Sequence, residues 1–430
     1  MTRGPGRASD SDRSNRWQTV AWLVGPLAVV LILAFLVFQP SLDLFASTPS
    51  AALTPVPLPT ATPFPSPELS PVTAASVQIR AVPFAPGALV NDLAVAGTRL
   101  VAVGAKNDQP AAWYSDDGGE TWAGADVAAD PPPRKGAKIA LQSVAAFEST
   151  LAAVGQWQQA NGDIFGAGIW TSVDSGAHWS EAPRDAVPRN IYTLDSGGFG
   201  FLTSSGDARL VVSTDAVSWD DLPYSPILNG VYATGFASRG DQVVLMADRL
   251  DESAGAMLTP PVFWVYRAGS GWTTVDRDTD EGGPANLRTL VADASGYYAG
   301  GLVYTSGDDP QSSRAALWRS ADGTSWHRLL LSGDAGLAAF RIAHGSLGTL
   351  VLGGELGVLP ATMWLVPDGD EPAIQEYRIG WDILSLIGFG DRFVAFAQCG
   401  LETESGCDGS QVLMISASEA PYEPPSSVVP

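Results

Sequence analysis

Serine, aspartate and tryptophan recur together along the chain at a spacing that could serve either chemistry or architecture. The pattern Ser-x-Asp-x-Gly-x-x-Trp occurs at residues 115–122 and 172–179, and a form one residue shorter occurs at 213–219 and 320–326. A decayed copy without the aspartate remains at 267–272. A carboxylate beside a hydroxyl could act as a general acid or base, but the same pair can satisfy the backbone amides of a tight turn. The regular recurrence favours the turn.

Other groups of chemically capable residues are sparse. Asp276, Asp278 and Asp280 have the spacing of a calcium-binding loop. However, Gly282 comes one place late and Leu287 stands where a bidentate glutamate would close the site, so a solvated acidic linker is favoured. Three scattered histidines and 2 cysteines cannot build a zinc site of the usual type, and no nucleophile elbow or phosphate-binding glycine loop is visible. The sequence therefore predicts no metal, no cofactor and no catalytic residue.

The first 75 residues are predicted to lie outside the folded part. Residues 19–38 are 20 consecutive uncharged residues, enough for a helix of about 30 Å that spans a hydrocarbon core. Residues 1–18 carry more basic than acidic side chains, which places this tail in the cytoplasm by the positive-inside rule. Residues 39–75 are rich in proline and threonine and predict an extended stalk, and residues 418–430 predict a disordered tail. A cleaved signal peptide is the alternative, and in both cases the rest of the chain is extracytoplasmic.

Charge indicates which partners the chain could bind, and the predicted location bears on its two cysteines. Acidic side chains outnumber basic ones 46 to 24, a net charge of −22 that argues against a nucleic-acid partner. Basic side chains cluster at Arg134, Lys135 and Lys138, where a small anionic contact or a solvated linker is expected. Cys399 and Cys407 lie eight residues apart, and outside the cytoplasm they are predicted to form a disulfide within one loop.

The repeats extend over residues 76–417. The tryptophans of the five boxes are 57, 40, 53 and 54 residues apart, a period typical of propeller blades. Each box follows a short β-rich run and an upstream glycine-bounded apolar run, which together indicate four strands per unit. Seven such units are predicted, with six or eight as alternatives: 89–127, 139–183, 190–223, 229–275, 286–329, 336–379 and 380–417. Residues 76–83 are predicted to supply the missing outer strand of the last unit and so close the ring.

These boxes resemble the Asp-box, or bacterial neuraminidase repeat, of sialidases, xyloglucanases, sortilin-type receptors and photosystem II assembly factors. Taken with the seven counted units and the predicted membrane helix, the resemblance implies an all-β, seven-bladed β-propeller of the sialidase-like superfamily in a membrane-anchored, bacterial protein. It also implies that the boxes are structural turns between third and fourth strands. The implied structural residues are Ser115, Asp117, Gly119, Trp122, Ser172, Asp174, Gly176, Trp179, Ser213, Asp215, Trp219, Ser320, Asp322, Gly323 and Trp326.

A ligand is expected on the face opposite the boxes, where loops join second to third strands. The longest loops there are 156–167, 248–261, 304–314 and 398–411. Their aromatic and acidic side chains supply the candidate ligand-binding residues: Trp157, Asp163, Phe165, Asp251, Tyr304 and Asp308.

The predicted function is non-catalytic binding of a protein or a cell-surface glycan, as a scaffold or assembly factor. The alternative is a sialidase-like glycoside hydrolase, which would need an arginine cluster and a Phe/Tyr-Arg-Ile-Pro motif near the first blade. The nearest matches are Phe340-Arg341-Ile342 and Tyr377-Arg378-Ile379, which come late in the chain and lack the proline. A fold that hosts many functions does not by itself decide between these.

Overall fold

The computed structural model describes residues 76–130, 134–189, 191–204, 209–223, 231–249, 262–275, 285–304, 312–331, 334–355, 362–369, 372–379, 381–399 and 410–418. Within these ranges no helix is long and apolar enough to cross a membrane. The predicted cytoplasmic tail, membrane helix, stalk and most of the C-terminal tail lie outside the described residues.

The described residues form seven sheets, which are antiparallel except for one short strand in the second. Blade 1 consists of β2 (Ala88–Ala96), β3 (Arg99–Lys106), β4 (Gln109–Ser115) and β5 (Ala123–Gly124), and blade 2 of β7 (Lys138–Phe147), β8 (Thr150–Gln158), β9 (Ile164–Ser172) and β10 (His178–Glu181). Blade 3 consists of β11 (Asp195–Gly197), β12 (Gly200–Ser204), β13 (Leu210–Ser213) and β14 (Asp220–Asp221). Blade 4 consists of β15 (Val231–Arg239), β16 (Gln242–Arg249), β17 (Val262–Arg267) and β18 (Gly271–Val275). A short strand β6 (Asp126–Val127) leaves the first sheet and pairs in parallel with β10. The second blade therefore has five strands.

The last three sheets complete the ring. Blade 5 consists of β19 (Ala285–Ala292), β20 (Tyr297–Tyr304), β21 (Ser313–Ser320) and β22 (His327–Leu330). Blade 6 consists of β23 (Leu337–Gly345), β24 (Gly348–Glu355), β25 (Thr362–Val366) and β26 (Gln375–Arg378). Blade 7 consists of β27 (Trp381–Phe389), β28 (Arg392–Cys399), β29 (Ser410–Ser418) and β1 (Ser76–Val82). Strand β1 pairs with β29 over its whole length, from Ser76 opposite Ser418 to Val82 opposite Val412. The N-terminal strand therefore completes the last blade, as the sequence predicts.

The first strand of each blade is the innermost one. Each of these strands contacts the first strand of the next blade, and β27 contacts β2, so the contacts run around a closed ring. This arrangement confirms the all-β, seven-bladed propeller and excludes the alternatives of six or eight blades.

Apolar side chains fill every interface between neighbouring blades. The core divides into seven clusters, and each joins residues of two adjacent sheets. Between the first two blades, for example, Val101 and Val103 pack against Leu141 and Trp170. Burial of such side chains contributes roughly 1.5–3 kcal/mol each. Because every blade shares both faces with a neighbour, the ring cannot open at any point without exposing one of these clusters.

Candidate functional site

The four complete boxes form the tight turns between the third and fourth strands of blades 1, 2, 3 and 5. In the first, the Ser115 hydroxyl donates to Asp117 Oδ1 at 2.8 Å and accepts from the Gly119 amide at 2.8 Å. Asp117 also accepts from the Thr121 amide at 2.9 Å, and Trp122 Nε1 donates to the Gly119 carbonyl at 3.0 Å. The same Ser–Asp and indole–carbonyl bonds recur in the boxes that begin at Ser172, Ser213 and Ser320.

This geometry fixes the charge of the box aspartates. Hydrogen bonds from backbone amides, led by that of His178, lower the pKa of Asp174 to about 2. The Ser218 and Val217 amides lower the pKa of Asp215 to about 2 in the same way. The Ser325 amide is the leading cause of the lowered pKa of Asp322. A carboxylate that is already ionised and bonded to amides and a hydroxyl is a poor general acid and a poor nucleophile.

Each box also packs against the preceding blade. A Cβ at Gly119 would lie 3.1 Å from Met414 Sδ, and one at Gly176 would lie 2.9 Å from Val101 Cγ2. In the third box Ala216 takes the equivalent place with φ of 58° and is fully buried. The decayed copy at 267–272 keeps the turn between β17 and β18, with positive φ at Gly269 and Gly271.

The opposite face of the ring carries a basic surface at blades 1 and 2. Because successive strands run antiparallel, the β3–β4 hairpin and the connection into β7 both lie on the side away from the boxes. Lys138 Nζ lies 3.0 Å from Asp108 Oδ1 in that hairpin, and the Ile139 amide donates to the Asp108 carbonyl at 3.1 Å. The Arg134 guanidinium lies over the Phe165 ring, 4.4 Å from its centroid. We call Lys106, Arg134, Lys135, Lys138 and Phe165 the basic patch.

The structure distributes the sequence-predicted ligand residues over two blades. Asp163 is exposed at the tip of the β8–β9 hairpin, where Asn161 donates to its Oδ2 at 2.6 Å. Phe165 lies in β9 beneath Arg134. Tyr304 ends β20 on blade 5, far along the ring from blade 2. Asp251 and Asp308 lie outside the described residues.

The structure contradicts the prediction that Trp157 is a ligand-binding residue in a loop. Its position in the sequence predicts a platform in a loop, but β8 continues to Gln158 and Trp157 is only 4% exposed. Its ring covers Gly166 and Gly168 of β9, where an added Cβ would lie 2.7 Å and 3.1 Å from the indole. Trp157 is therefore a core residue, held under the Arg184 guanidinium at 4.9 Å from the ring centroid.

Two other predictions remain open. Cys399 ends β28, but Cys407 lies outside the described residues, as does the acidic segment 276–280. Among the residues that are described, no group of three or more His, Cys, Asp or Glu side chains could hold a metal ion.

His344 is the centre of a charged cluster that links blades 5 and 6 on the box face. Its Nδ1 lies 2.5 Å from Asp293 Oδ2, and its Nε2 lies 3.2 Å from Asp368 Oδ1. Ser295 Oγ lies 3.2 Å from the same Nδ1 and donates to Asp293 Oδ1 at 2.5 Å. A hydrolytic triad needs serine and carboxylate on opposite ring nitrogens. Here a carboxylate faces each ring nitrogen, Asp293 at Nδ1 and Asp368 at Nε2, and the Ser295 hydroxyl donates to Asp293 and not to the imidazole, so the arrangement is an ion-pair clamp.

Charged side chains of the innermost strands are the residues that the sequence analysis missed as a group. Asp92, Asp195, Arg341 and Asp382 lie on blades 1, 3, 6 and 7, deep in the molecule around the axis. The signal that could have found them is a charged residue inside an otherwise apolar first strand, as in the run Leu-Ala-Ala-Phe-Arg-Ile of β23.

The two sialidase-like segments do not form an arginine cluster with each other. Arg341 lies in β23, the innermost strand of blade 6, whereas Arg378 ends β26, the outermost strand of the same blade. The two positions are therefore at opposite radial edges of one sheet.

Comparison with known proteins places the chain by fold. No protein-family model and no curated sequence matches it. The chain is similar to the solved structure of YCF48 bound to D1 peptide, with 13% identity and a TM-score of 0.52 over 81% of this chain and 97% of that one. YCF48 from Cyanidioschyzon merolae aligns at 13% identity and a TM-score of 0.49 over 79% and 98% of the two chains. The phage phi92 endosialidase aligns at 12% identity and a TM-score of 0.44 over 82% and 70%. At these identities the likeness shows the propeller fold alone.

Proposed function

We propose that the protein is a non-catalytic binding module, held outside the cytoplasm by its N-terminal helix and stalk, that binds an acidic segment of a protein partner with its basic patch. The membrane anchor and the extracytoplasmic location are part of this proposal and rest on the sequence of residues 1–75. The observation that supports the binding role is the concentration of positive charge on one side of an acidic protein.

All three lysines of the chain belong to the basic patch, although the whole chain has a net charge of −22. Lys106 and Lys135 are exposed, and Lys138 is partly exposed beside Asp108. Phe165 adds an aromatic surface beneath Arg134. A local positive field in a negative molecule steers a carboxylate-rich partner to that site and repels it elsewhere.

The choice of a protein partner over a glycan has further support from a fold neighbour. The propeller YCF48 has been solved with D1 peptide, so a ring of this kind can present a peptide-binding surface. A glycoside hydrolase would need two carboxyl groups facing one substrate. The box carboxylates do not meet this need at the basic patch, because they are held in turns on the other face. A sialidase-like glycosidase remains the competing function, and the experiment must distinguish it from non-catalytic binding.

The test is affinity capture with the full chain from detergent-solubilised membranes of the native organism. We expect a stoichiometric partner that the double variant Lys106→Glu/Lys135→Glu no longer captures, with capture by the unaltered chain declining as salt rises. Arg80→Glu is the matched control, because it also reverses an exposed charge but lies on the outer strand β1.

Equal capture by both variants would contradict the proposed surface. If the bait captures nothing and the purified protein releases sugar from cell-surface glycans, the hydrolase would replace the binding module. Circular dichroism of each variant checks that loss of capture does not come from unfolding.

A further inference from the structure

Strand β1 forms the outer edge of blade 7 and is the longest outer strand among the described residues. It has 7 residues, whereas the outer strands of the other blades have 2 to 5. Within its sheet β1 lies beside β29 alone, so its other side presents N–H and C=O groups without a neighbouring strand. A long open edge of this kind pairs readily with another strand, and proteins usually shorten or cover it.

Blade 2 shows how this ring covers an outer strand. The chain that leaves blade 1 continues as β6 beside β10, where the amides of Asp126 and Ala128 donate to carbonyls of that edge at 2.9 Å each. Blade 7 cannot be covered in the same way, because only residues 379–380 connect β26 to β27. Two residues span about 7 Å, which is too short to follow a strand of this length.

The middle of β1 is exposed and carries an apolar side chain. The four residues from Gln78 to Ala81 are all exposed, and Ile79 is one of the few large apolar side chains of the described chain that are, at 37%. Arg80 is the charge that would keep another strand away from this edge. However, its Nη2 lies 2.5 Å from Glu120 Oε1 of the first box, so the ring itself neutralises that charge.

The order of residues in β1 is self-complementary. Its side chains alternate, so Val77, Ile79 and Ala81 share the face towards blade 6, while Gln78 and Arg80 share the face towards blade 1. When two copies of β1 run antiparallel with Ile79 opposite Ile79, Gln78 faces Arg80 and Val77 faces Ala81. Every residue of β1 then has a partner, apolar side chains meet apolar ones, and no like charges face each other.

Backbone geometry limits the alternative registers. Alternate residues of β1 direct their N–H and C=O groups to β29, so two copies can pair only at residues of the same parity. Centring the pair on Arg80 would place two guanidinium groups opposite each other. Centring it on Gln78 would leave Ala81 and Val82 without a partner, so the register centred on Ile79 is favoured.

We propose that β1 is a homodimer interface, at which a second copy of this chain adds its own β1 in antiparallel orientation with Ile79 facing Ile79. The two copies of blade 7 then form one continuous sheet across a two-fold axis. This interface lies on the rim of the ring, apart from the basic patch, and does not depend on the acidic partner. A single strand pair is smaller than a standard interface, so the association is weak and depends on concentration.

The membrane anchor of the proposed function is compatible with this dimer. The two copies of β1 run in opposite directions, so the two stalks start at opposite ends of the strand pair. The predicted stalk of residues 39–75 could extend to about 110 Å, against about 23 Å for β1, so both anchors can reach one membrane. Confinement to one membrane would then raise the effective concentration of the weak interface.

The first test is analytical ultracentrifugation of the full chain in detergent over a hundredfold range of concentration. Ile79→Lys should need at least tenfold more protein to dimerise than the unaltered chain, because two ammonium groups would face each other. Leu330→Lys is the matched control, since Leu330 is 46% exposed on the outer strand β22, and it should dimerise as the unaltered chain does. Added salt should strengthen the dimer, because each copy has a net charge of −22.

Cysteine cross-linking tests the register. Ile79→Cys should form a covalent dimer on mild oxidation, because directly opposed Cβ atoms lie about 4.5–5.5 Å apart. An equimolar mixture of Gln78→Cys and Arg80→Cys should cross-link at least tenfold faster than either variant alone, because residues 78 and 80 face each other only between copies. The unaltered chain, which contains Cys399 and Cys407, gives the background rate.

Three results would each overturn the proposal: a monomer at every concentration, equal dimerisation of Ile79→Lys and the unaltered chain, or cross-linking of Ile79→Cys at the background rate. Melting temperatures show whether each variant is folded. If Ile79→Lys does not fold, Ala81→Lys places a charge at the same exposed edge and should weaken the dimer as strongly. Ile79→Lys should keep partner capture, and Lys106→Glu/Lys135→Glu should keep the dimer, so failure of the proposed function and failure of this interface give different results.

Discussion

Gly176 is the residue at which the second box packs against the first blade. Its φ is +89°, and a Cβ would lie 2.9 Å from Val101 Cγ2, which is part of the cluster between blades 1 and 2. Gly176→Ala should therefore combine backbone strain of about 1–2 kcal/mol with an overpacking cost of about 1–3 kcal/mol. Urea unfolding of the variant should show a clearly lower midpoint than that of the unaltered chain.

A matched control exists in the same blade. Gly162 in the β8–β9 hairpin has the same φ of +89°, but nothing lies within 4 Å of its added Cβ. Gly162→Ala should thus show the strain without the overpacking. If the two variants unfold at the same urea concentration, the box does not depend on close packing against the neighbouring blade.

The His344 clamp predicts a pH-dependent contribution to stability. Although burial lowers the pKa of His344, its bonds to Asp293 and Asp368 raise it above its ordinary value. The stabilisation is then fully present below the unfolded pKa of about 6.5 and is lost as pH rises through the folded pKa. His344→Gln should cost about 1 kcal/mol at pH 6 and less at pH 9, a modest value because both carboxylates are partly exposed.

Urea unfolding of both proteins at the two pH values measures this difference. The groups that face His344 are Asp293 and Ser295 from blade 5, Asp368 from blade 6, and Tyr298, whose ring stacks on it. His327→Gln is the control, since His327 is exposed on β22. A cost that stays constant from pH 6 to pH 9 would show that the clamp acts as a neutral hydrogen bond.

At the scale of elements, β1 determines whether the ring is closed. It covers β29, and Val77 of β1 is buried in the cluster between blades 6 and 7. Deletion of residues 1–82 should expose the edge of β29 and lower the melting temperature by several degrees, with increased aggregation. The control is deletion of residues 1–71, which keeps β1.

A peptide of residues 76–82 supplies a second measurement. Added in excess to the chain that lacks β1, it should restore much of the lost melting temperature by pairing with β29. No loss on deletion, or no effect of the peptide on a destabilised chain, would argue against closure by this strand as a source of stability.

The sequence predicted these elements well because their signals are local. A box at fixed spacing after a β-rich run marks a turn between strands, and the missing strand of the last unit implied its replacement by residues 76–83. Trp157 was misplaced because the loop was predicted to start at Gln156, whereas β8 ends at Gln158. The grouping of Asp92, Asp195, Arg341 and Asp382 on the innermost strands was not predictable, since it depends on how strands that are distant in the sequence come together in one ring.

For the whole molecule, the axis concentrates carboxylates that the fold keeps away from bulk water. Burial is the leading cause that raises the pKa of Asp195 to about 7, and the Asp92 charge adds to it. Burial also raises the pKa of Asp92 and Asp382, so three blades contribute to the same effect. The closed ring thus creates an environment that no single blade could provide.

The folded ring therefore holds protons that the unfolded chain releases. Between the unfolded pKa of about 3.9 and a folded pKa of about 7, the native state binds more protons, so stability must fall as pH rises through this window. Asp195→Asn removes the titrating group. The free energy of unfolding of this variant, measured in urea, should therefore decline less between pH 4 and pH 8 than that of the unaltered chain, by an amount of the order of a few kcal/mol. Asp185→Asn, an exposed aspartate of blade 2, should decline as the unaltered chain does. Equal slopes for Asp195→Asn and the unaltered chain would mean that the axis admits enough water to keep this carboxylate ionised.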